Sequence, residues 1–145
     1  IMKRIVSLLF VLSAFAMIAG ADNKPVTFEQ LPDAAKTFIT SNFKAVKILF
    51  ASMDDDLIRP DYEVRLADGT EIDFDNDGRL EKIEMKSGAV PSGIVPVQVK
   101  DYVKANYQDV LIREYEVGLR HYEVKLSNGL ELKFNKSFQL IGIDD

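Results

Sequence analysis

Two periodicities alternate along the chain. Leu31, Ala35, Phe38, Ile39 and Phe43 recur at helical spacing, and Pro32 suits a first helical turn. Val95, Val99, Tyr102, Val103 and Tyr107 repeat that pattern behind Pro96. After each helical stretch the period drops to two. Tyr62, Val64 and Leu66 alternate with Glu63 and Arg65, and Ile72 and Phe74 alternate with Glu71 and Asp73. Asp68-Gly69 and Asn128-Gly129 separate such runs and are strong hairpin signals, because a two-residue turn needs positive φ. Leading strands are expected over 46–53 and 110–117, and closing strands over 79–85 and 139–143.

The two stretches are copies of one another. Residues 31–48 align with 95–112 at an offset of 64, and YEVRLADGTEIDF (62–74) aligns with YEVKLSNGLELKF (122–134) at an offset of 60. The difference falls in an acidic loop, 54–61, which is shorter in the second copy. Two tandem αββββ repeats follow, over 22–85 and 95–145, with a Gly- and Pro-containing linker over 86–94. The expected fold is α+β: a curved antiparallel sheet with both helices on one face. Phe38, Ile39, Phe43, Val64, Ile72, Phe74 and Leu80 are expected in the core, with their counterparts Tyr102, Val103, Tyr107, Val124, Leu132, Phe134 and Leu140.

Residues 1–21 stand apart from this pattern. Lys3 and Arg4 precede an apolar run from Ile5 to Ile18, and Ala19-Gly20-Ala21 supplies small residues before the polar Asp22. This is the layout of a cleaved secretory signal peptide; the apolar run falls short of the roughly 20 residues a membrane span needs. Cleavage removes two basic residues and no acid, which takes the net charge from −5 to −7. A chain so acidic is repelled by phosphate backbones, so nucleic acid is excluded as a partner, and no membrane contact is expected after cleavage. The 145 residues include no Cys and one His. Disulfides, thiolate chemistry and two-histidine zinc motifs are thereby excluded.

The leader, the Leu-Pro and Val-Pro helix openings, and the twice-used Y-E-V-x-L-x-x-G-x-E-x-x-F hairpin resemble the PepSY-like proteins. The resemblance covers essentially the whole chain after the leader. It implies a periplasmic location and an architecture like that of the beta-lactamase inhibitor protein. Through the inhibitory reading of PepSY domains in peptidase propeptides, it also points to protein binding. The family carries no established activity, and a fold does not transfer function by itself.

Three functional readings compete. The first is a non-enzymatic binding or inhibitor-like module, monomeric, that takes a periplasmic protein or peptide on its sheet face. If Val46, Ile48 and Phe50 face the helices, Leu49 and Met53 face away, as do Leu111 and Tyr115 in the second copy. These four are the expected anchors, since exposed apolar patches mark binding sites. Equally, the leading strands are covered on both sides, or a bulge shifts their phase. The second reading is calcium responsiveness. Residues 73–84 match the D-x-[DN]-x-[DN]-G-x5-E calcium-loop pattern, with Asp73, Asp75 and Asp77 as ligands and Glu63 or Glu84 in support. The flanks are strand-like, so the same residues also read as a plain three-residue hairpin with Gly78 at positive φ. On the solvent face Glu63 is expected opposite Asp73, a like-charge pair, where the second copy has Glu123 opposite Lys133. Calcium is the one cofactor considered. The third reading, a small enzyme, finds no nucleophile–base pair and only His121 as an imidazole, so the chain is expected not to be an enzyme.

Overall fold

A computed structural model describes residues 23–55 and 58–145 of the chain. The expected leader lies outside the described residues, as do Asp56 and Leu57 of the acidic loop. The elements in order are β1 (Asn23–Val26), a 3₁₀ turn (Phe28–Gln30), α1 (Asp33–Asn42), β2 (Ile48–Asp54), β3 (Asp61–Leu66), β4 (Glu71–Phe74) and β5 (Leu80–Glu84). Then come α2 (Val97–Asn106), β6 (Ile112–Val117), β7 (His121–Leu126), β8 (Glu131–Asn135) and β9 (Leu140–Asp144). The nine strands form one curved, open antiparallel sheet whose spatial order is the chain order. A helix followed by a four-strand meander thus occurs twice, and β5 pairs with β6 to make the sheet continuous. The fold is α+β.

The helices pack where the periodicities place them. Ala35 and Ile39 of α1 and Val99 and Val103 of α2 join one buried cluster with Val64, Ile72, Phe74, Val124, Leu132 and Phe134. Phe38 meets Phe74 edge-on at 5.5 Å, and Tyr102 meets Phe134 in the same way at 5.4 Å. Such T-shaped contacts add stabilisation beyond the buried area. Pro32 and Pro96 stand at the residue before each helix, where a missing N–H costs nothing.

Hairpin register is as the turns dictate. Tyr62 pairs with Phe74, Val64 with Ile72 and Arg65 with Glu71, and Tyr122, Val124 and Lys125 pair likewise with Phe134, Leu132 and Glu131. The leading strands differ from expectation. A bulge between Ile48 and Phe50, and a matching one between Ile112 and Glu114, each insert one residue. Because side chains alternate, a one-residue slip exchanges the faces. Met53 therefore pairs with Tyr62 and Tyr115 with Val124, both on the helix side, while Phe50 pairs with Arg65 on the opposite side.

Two further features escaped the sequence patterns. β1 is a short edge strand containing Pro25, which pairs with β2. The linker is packed rather than loose. Val90 is buried and its N–H donates to the Ile112 carbonyl, and the Arg113 guanidinium donates to the Gly88 carbonyl at 2.6 Å. Among the described residues no helix is long and apolar enough to cross a membrane.

Candidate ligand-binding face

Both helices lie on one side of the sheet, so among the described residues the other side carries no helix, and its residues are set by register. One row across it runs Ser52, Glu63, Asp73, Lys82, Glu116, Glu123 and Lys133. The next row runs Phe50, Arg65, Glu71, Glu84, Glu114, Lys125, Glu131 and Asp144. These rows are charged, not apolar. Glu63–Asp73, Glu71–Glu84, Glu84–Glu114, Glu116–Glu123 and Glu131–Asp144 are directly opposed acids. Such pairs destabilise a sheet unless a cation intervenes.

Some cations are in place. Lys82 lies 2.9 Å from Glu114, Lys86 lies 3.2 Å from Glu84, and Lys125 lies 3.8 Å from Glu131. Arg65 binds Glu71 and stacks over the Phe50 ring at 5.4 Å, which explains how that phenyl group is accommodated on a polar face. Glu123 is approached by Lys133 at 4.0 Å and by His121 at 3.8 Å.

The corner formed by β2 to β5 is different. Asp54, Asp61, Glu63, Asp73 and Glu81 line a cavity of about 180 Å³ together with Asn23, Ser52 and Tyr62. Burial, aggravated by the neighbouring Glu63 carboxylate and only partly offset by Lys82, pushes the Asp73 carboxyl up to about 6. Burial also raises Asp61 and Glu81, and the surrounding acids add to both. A cavity of this kind favours any positive charge that enters it.

The candidate residues scatter against this frame. Tyr115 is 4% exposed and belongs to the core, and Met53 is half-buried on the helix side, so neither is an anchor on the open face. Leu49 sits exposed at its bulge, and Leu111 is exposed just before β6. The proposed calcium loop is a hairpin turn. The Asp75 carboxylate accepts from the N–H groups of Asp77 and Arg79, both at 2.9 Å, and Gly78 has φ +82°. Asn135 accepts from Ser137 and Gln139 in the same way at 3.0 Å, so the turn does not need an acid. Asp75 and Asp77 do not line the cavity that holds Asp73 and Glu63, although the Asp75 charge reaches Asp61 and Glu81 on its wall, and Glu84 lies in the next row, beside Lys86. Among the described residues no three carboxylates converge tightly enough to grip an ion as they stand.

Sequence patterns did not reveal Asp54, Asp61 and Glu81 as companions of Asp73. Glu81 reaches the cavity because a bulge opposite Phe74 releases it from the alternation. Two apolar grooves were also unforeseen. One, of about 580 Å³, includes Phe28, Ile39, Phe43 and Ile48; the other, of about 440 Å³, includes Val90, Val103, Tyr107 and Ile112.

Comparison with known proteins places this architecture. Residues 60–142 match the family described as "Putative beta-lactamase-inhibitor-like, PepSY-like". The chain belongs to the PepSY-like family. A solved structure from Bacteroides vulgatus, named as a putative periplasmic protein of the DUF2874 family, is similar at 38% identity and a TM-score of 0.83. The alignment covers 88% of this chain and 100% of that one. A protein from Bacteroides thetaiotaomicron, named as a putative calcium-regulated periplasmic protein, is 39% identical with a TM-score of 0.83. That match covers 86% of this chain and 98% of the other. A third, from Bacteroides vulgatus and named as a putative periplasmic protein of unknown function, is 31% identical with a TM-score of 0.80, covering 85% and 99%. No curated protein matches the chain.

Proposed function

We propose that this PepSY-like chain is a non-enzymatic, calcium-responsive binding module of the periplasm, reached through a leader cleaved after Ala21, and that its two αββββ units act as one scaffold. The observation that carries the reading is the acidic cavity at one corner of the helix-free sheet face, where Asp73 is held near 6 with Glu63 directly opposite. Calcium takes six to eight oxygen ligands in flexible geometry, and water completes what protein groups leave open. Small rotations of Asp73, Glu63 and Asp61 would supply carboxylate oxygens, and the ion would convert their repulsion into coordination. The 39% identical relative named as calcium-regulated supports the choice of ion. The ligand site moves from the hairpin turn to the sheet, and the partner surface moves from an apolar patch to a charged one. A partner for this face carries cationic groups of its own or is bridged by calcium.

Titration calorimetry tests the reading. Wild-type protein should bind calcium with a dissociation constant of roughly 10⁻⁴–10⁻³ M, the range of extracellular calcium modules. Asp73→Asn/Asp61→Asn should abolish the heat, while Asp75→Asn/Asp77→Asn should leave it intact. If the turn variant loses binding instead, the hairpin is the site. If the wild type binds no calcium, the calcium reading fails.

A further inference from the structure

The two apolar grooves are copies of one another. The first, of about 580 Å³, lies between the end of α1 and the start of β2. Each residue that lines it has a counterpart 64 positions on that lines the second groove, of about 440 Å³. The walls match: Ile39, Val46 and Ile48 correspond to Val103, Val110 and Ile112. The rims do not. Lys44 and Lys47 border the first groove, exposed and without a carboxylate partner among the described residues, and no acid lines it. At their positions the second groove has Gln108 and Leu111. It also admits Asp109, and its Lys100 is tied to the Ser92 carbonyl at 2.7 Å. A lysine at a helix C-terminus complements the helix dipole, which accounts for Lys44 just after α1. Lys47, next to β2, has no such duty.

The first groove is also open once the leader is removed. It lies at the Ile48 end of β2, whereas Asn23 pairs with Asp54 at the other end, roughly 20 Å away. Asp22 and residues 56–57 therefore attach at the far end of the strand.

We infer that the first groove binds a free fatty acid, with the alkyl chain against Phe28, Phe43 and Ile48 and the carboxylate at the rim beside Lys44 and Lys47. Small-molecule sites are concave, mostly apolar pockets of roughly 300–1,000 Å³ with a few placed polar groups. Lysine stems extend such a wall while their ammonium groups stay in water, where a carboxylate headgroup also belongs. The rest of the chain favours a free amphiphile over a membrane. Its net charge of −5 is repelled by an anionic bilayer, whereas one fatty acid brings a single charge to two ammonium groups. The acidic cavity lies toward the Asp54 end of β2, so the inference does not rest on calcium binding.

Nuclear magnetic resonance titration of the isotope-labelled protein with decanoate, and separately with decanol, tests this. Amide shifts should centre on residues 39–48, and decanoate should bind at least about 10-fold more tightly than decanol. Lys44→Gln/Lys47→Leu, which installs the rim of the second groove, should remove that preference while decanol still binds. Phe28→Ser, the counterpart residue in the second groove, should weaken both ligands. Salt should weaken decanoate binding and leave decanol binding unchanged, which keeps the test decisive if a variant folds poorly. The inference is overturned if decanoate does not bind saturably, if the alcohol binds as tightly, or if the preference survives the double variant. Shifts centred on the second groove overturn it too. So does a dimer in sedimentation that decanoate cannot dissociate, which would place a second copy in the groove. Capture by phosphatidylglycerol vesicles that Lys44→Gln/Lys47→Leu abolishes would assign the groove to a membrane surface and overturn it as well.

Discussion

Replacing Asp73 by Asn should make the protein more stable at neutral pH and leave it unchanged in acid. Asp73 loses its proton near 3.8 in an unfolded chain and at about 6 in the fold, chiefly through burial and then through Glu63. Between these values the folded state holds the proton more firmly than the unfolded state does. The unfolded chain therefore binds fewer protons, and stability falls as pH rises. Below the lower value the carboxyl is neutral in both states and costs nothing. Above the upper value it is charged in both, and the full penalty applies. The gap between the two values corresponds to an upper limit of about 3 kcal/mol. Asp73 keeps partial contact with water, so solvent screening reduces this to roughly 1–2 kcal/mol.

An uncharged amide of the same shape escapes that penalty. Urea unfolding of wild type and Asp73→Asn at pH 4, 5, 6, 7 and 8 should show the two converging at the acid end. They should diverge to roughly 1–2 kcal/mol in favour of the variant by pH 7. Millimolar calcium should narrow the gap by stabilising the wild type alone. A variant less stable than wild type at pH 7, or a difference that does not change with pH, would refute the electrostatic argument.

Other consequences follow from packing and turn chemistry. Phe74→Ala or Phe134→Ala empties a fully buried site and severs an aromatic contact with a helix, so each should cost roughly 3–5 kcal/mol in chemical denaturation. Asp75→Ala removes the acceptor for two turn N–H groups and should cost about 1–2 kcal/mol, while Asp75→Asn should be nearly neutral, since Asn135 does the same work. A loss on Asp75→Asn as large as on Asp75→Ala would show that the turn needs the charge.

The hairpins were legible in the sequence because their register is decided locally. Asp68-Gly69 and Asn128-Gly129 fix where each strand reverses, and the alternation of Tyr62, Val64 and Leu66 with Glu63 and Arg65 then allows one pairing. The opposition of Glu63 to Asp73 is therefore readable from the residues alone. The leading strands were not, because their bulges arise from tertiary fit. Nothing in Ile48-Leu49-Phe50 distinguishes an extra residue from a continued alternation. Phe50 reads as a core residue, yet it lies on the charged face and is tolerated there because Arg65 covers its ring. The same slip carries Tyr115 into the core, where it stacks on Tyr122 at 6.2 Å.

Gly78 brings local turn chemistry and tertiary packing to one residue. Its φ of +82° is what the three-residue turn demands, and the sequence alone predicts it. Its packing is a tertiary matter: a Cβ there would stand 2.8 Å from the Ala35 nitrogen and 2.8 Å from the Pro32 Cβ, at the start of α1. Gly88 provides the control, because its φ is +76° yet a Cβ there meets nothing within 4 Å. Gly88→Ala should therefore cost only the backbone term, roughly 1 kcal/mol. Gly78→Ala should cost that and a further 1–3 kcal/mol or so, because backbone at the helix start must shift to make room. In the second half the equivalent position is Phe138, which adopts φ 63° and stacks on Tyr122 at 5.3 Å. The positive φ is therefore required by both turns and glycine by only one of them. Equal losses in the two alanine variants would show that the contact between this turn and α1 is loose. A larger loss at Gly78, read from denaturant midpoints at constant slope, would establish that the β4–β5 turn holds the helix start in place.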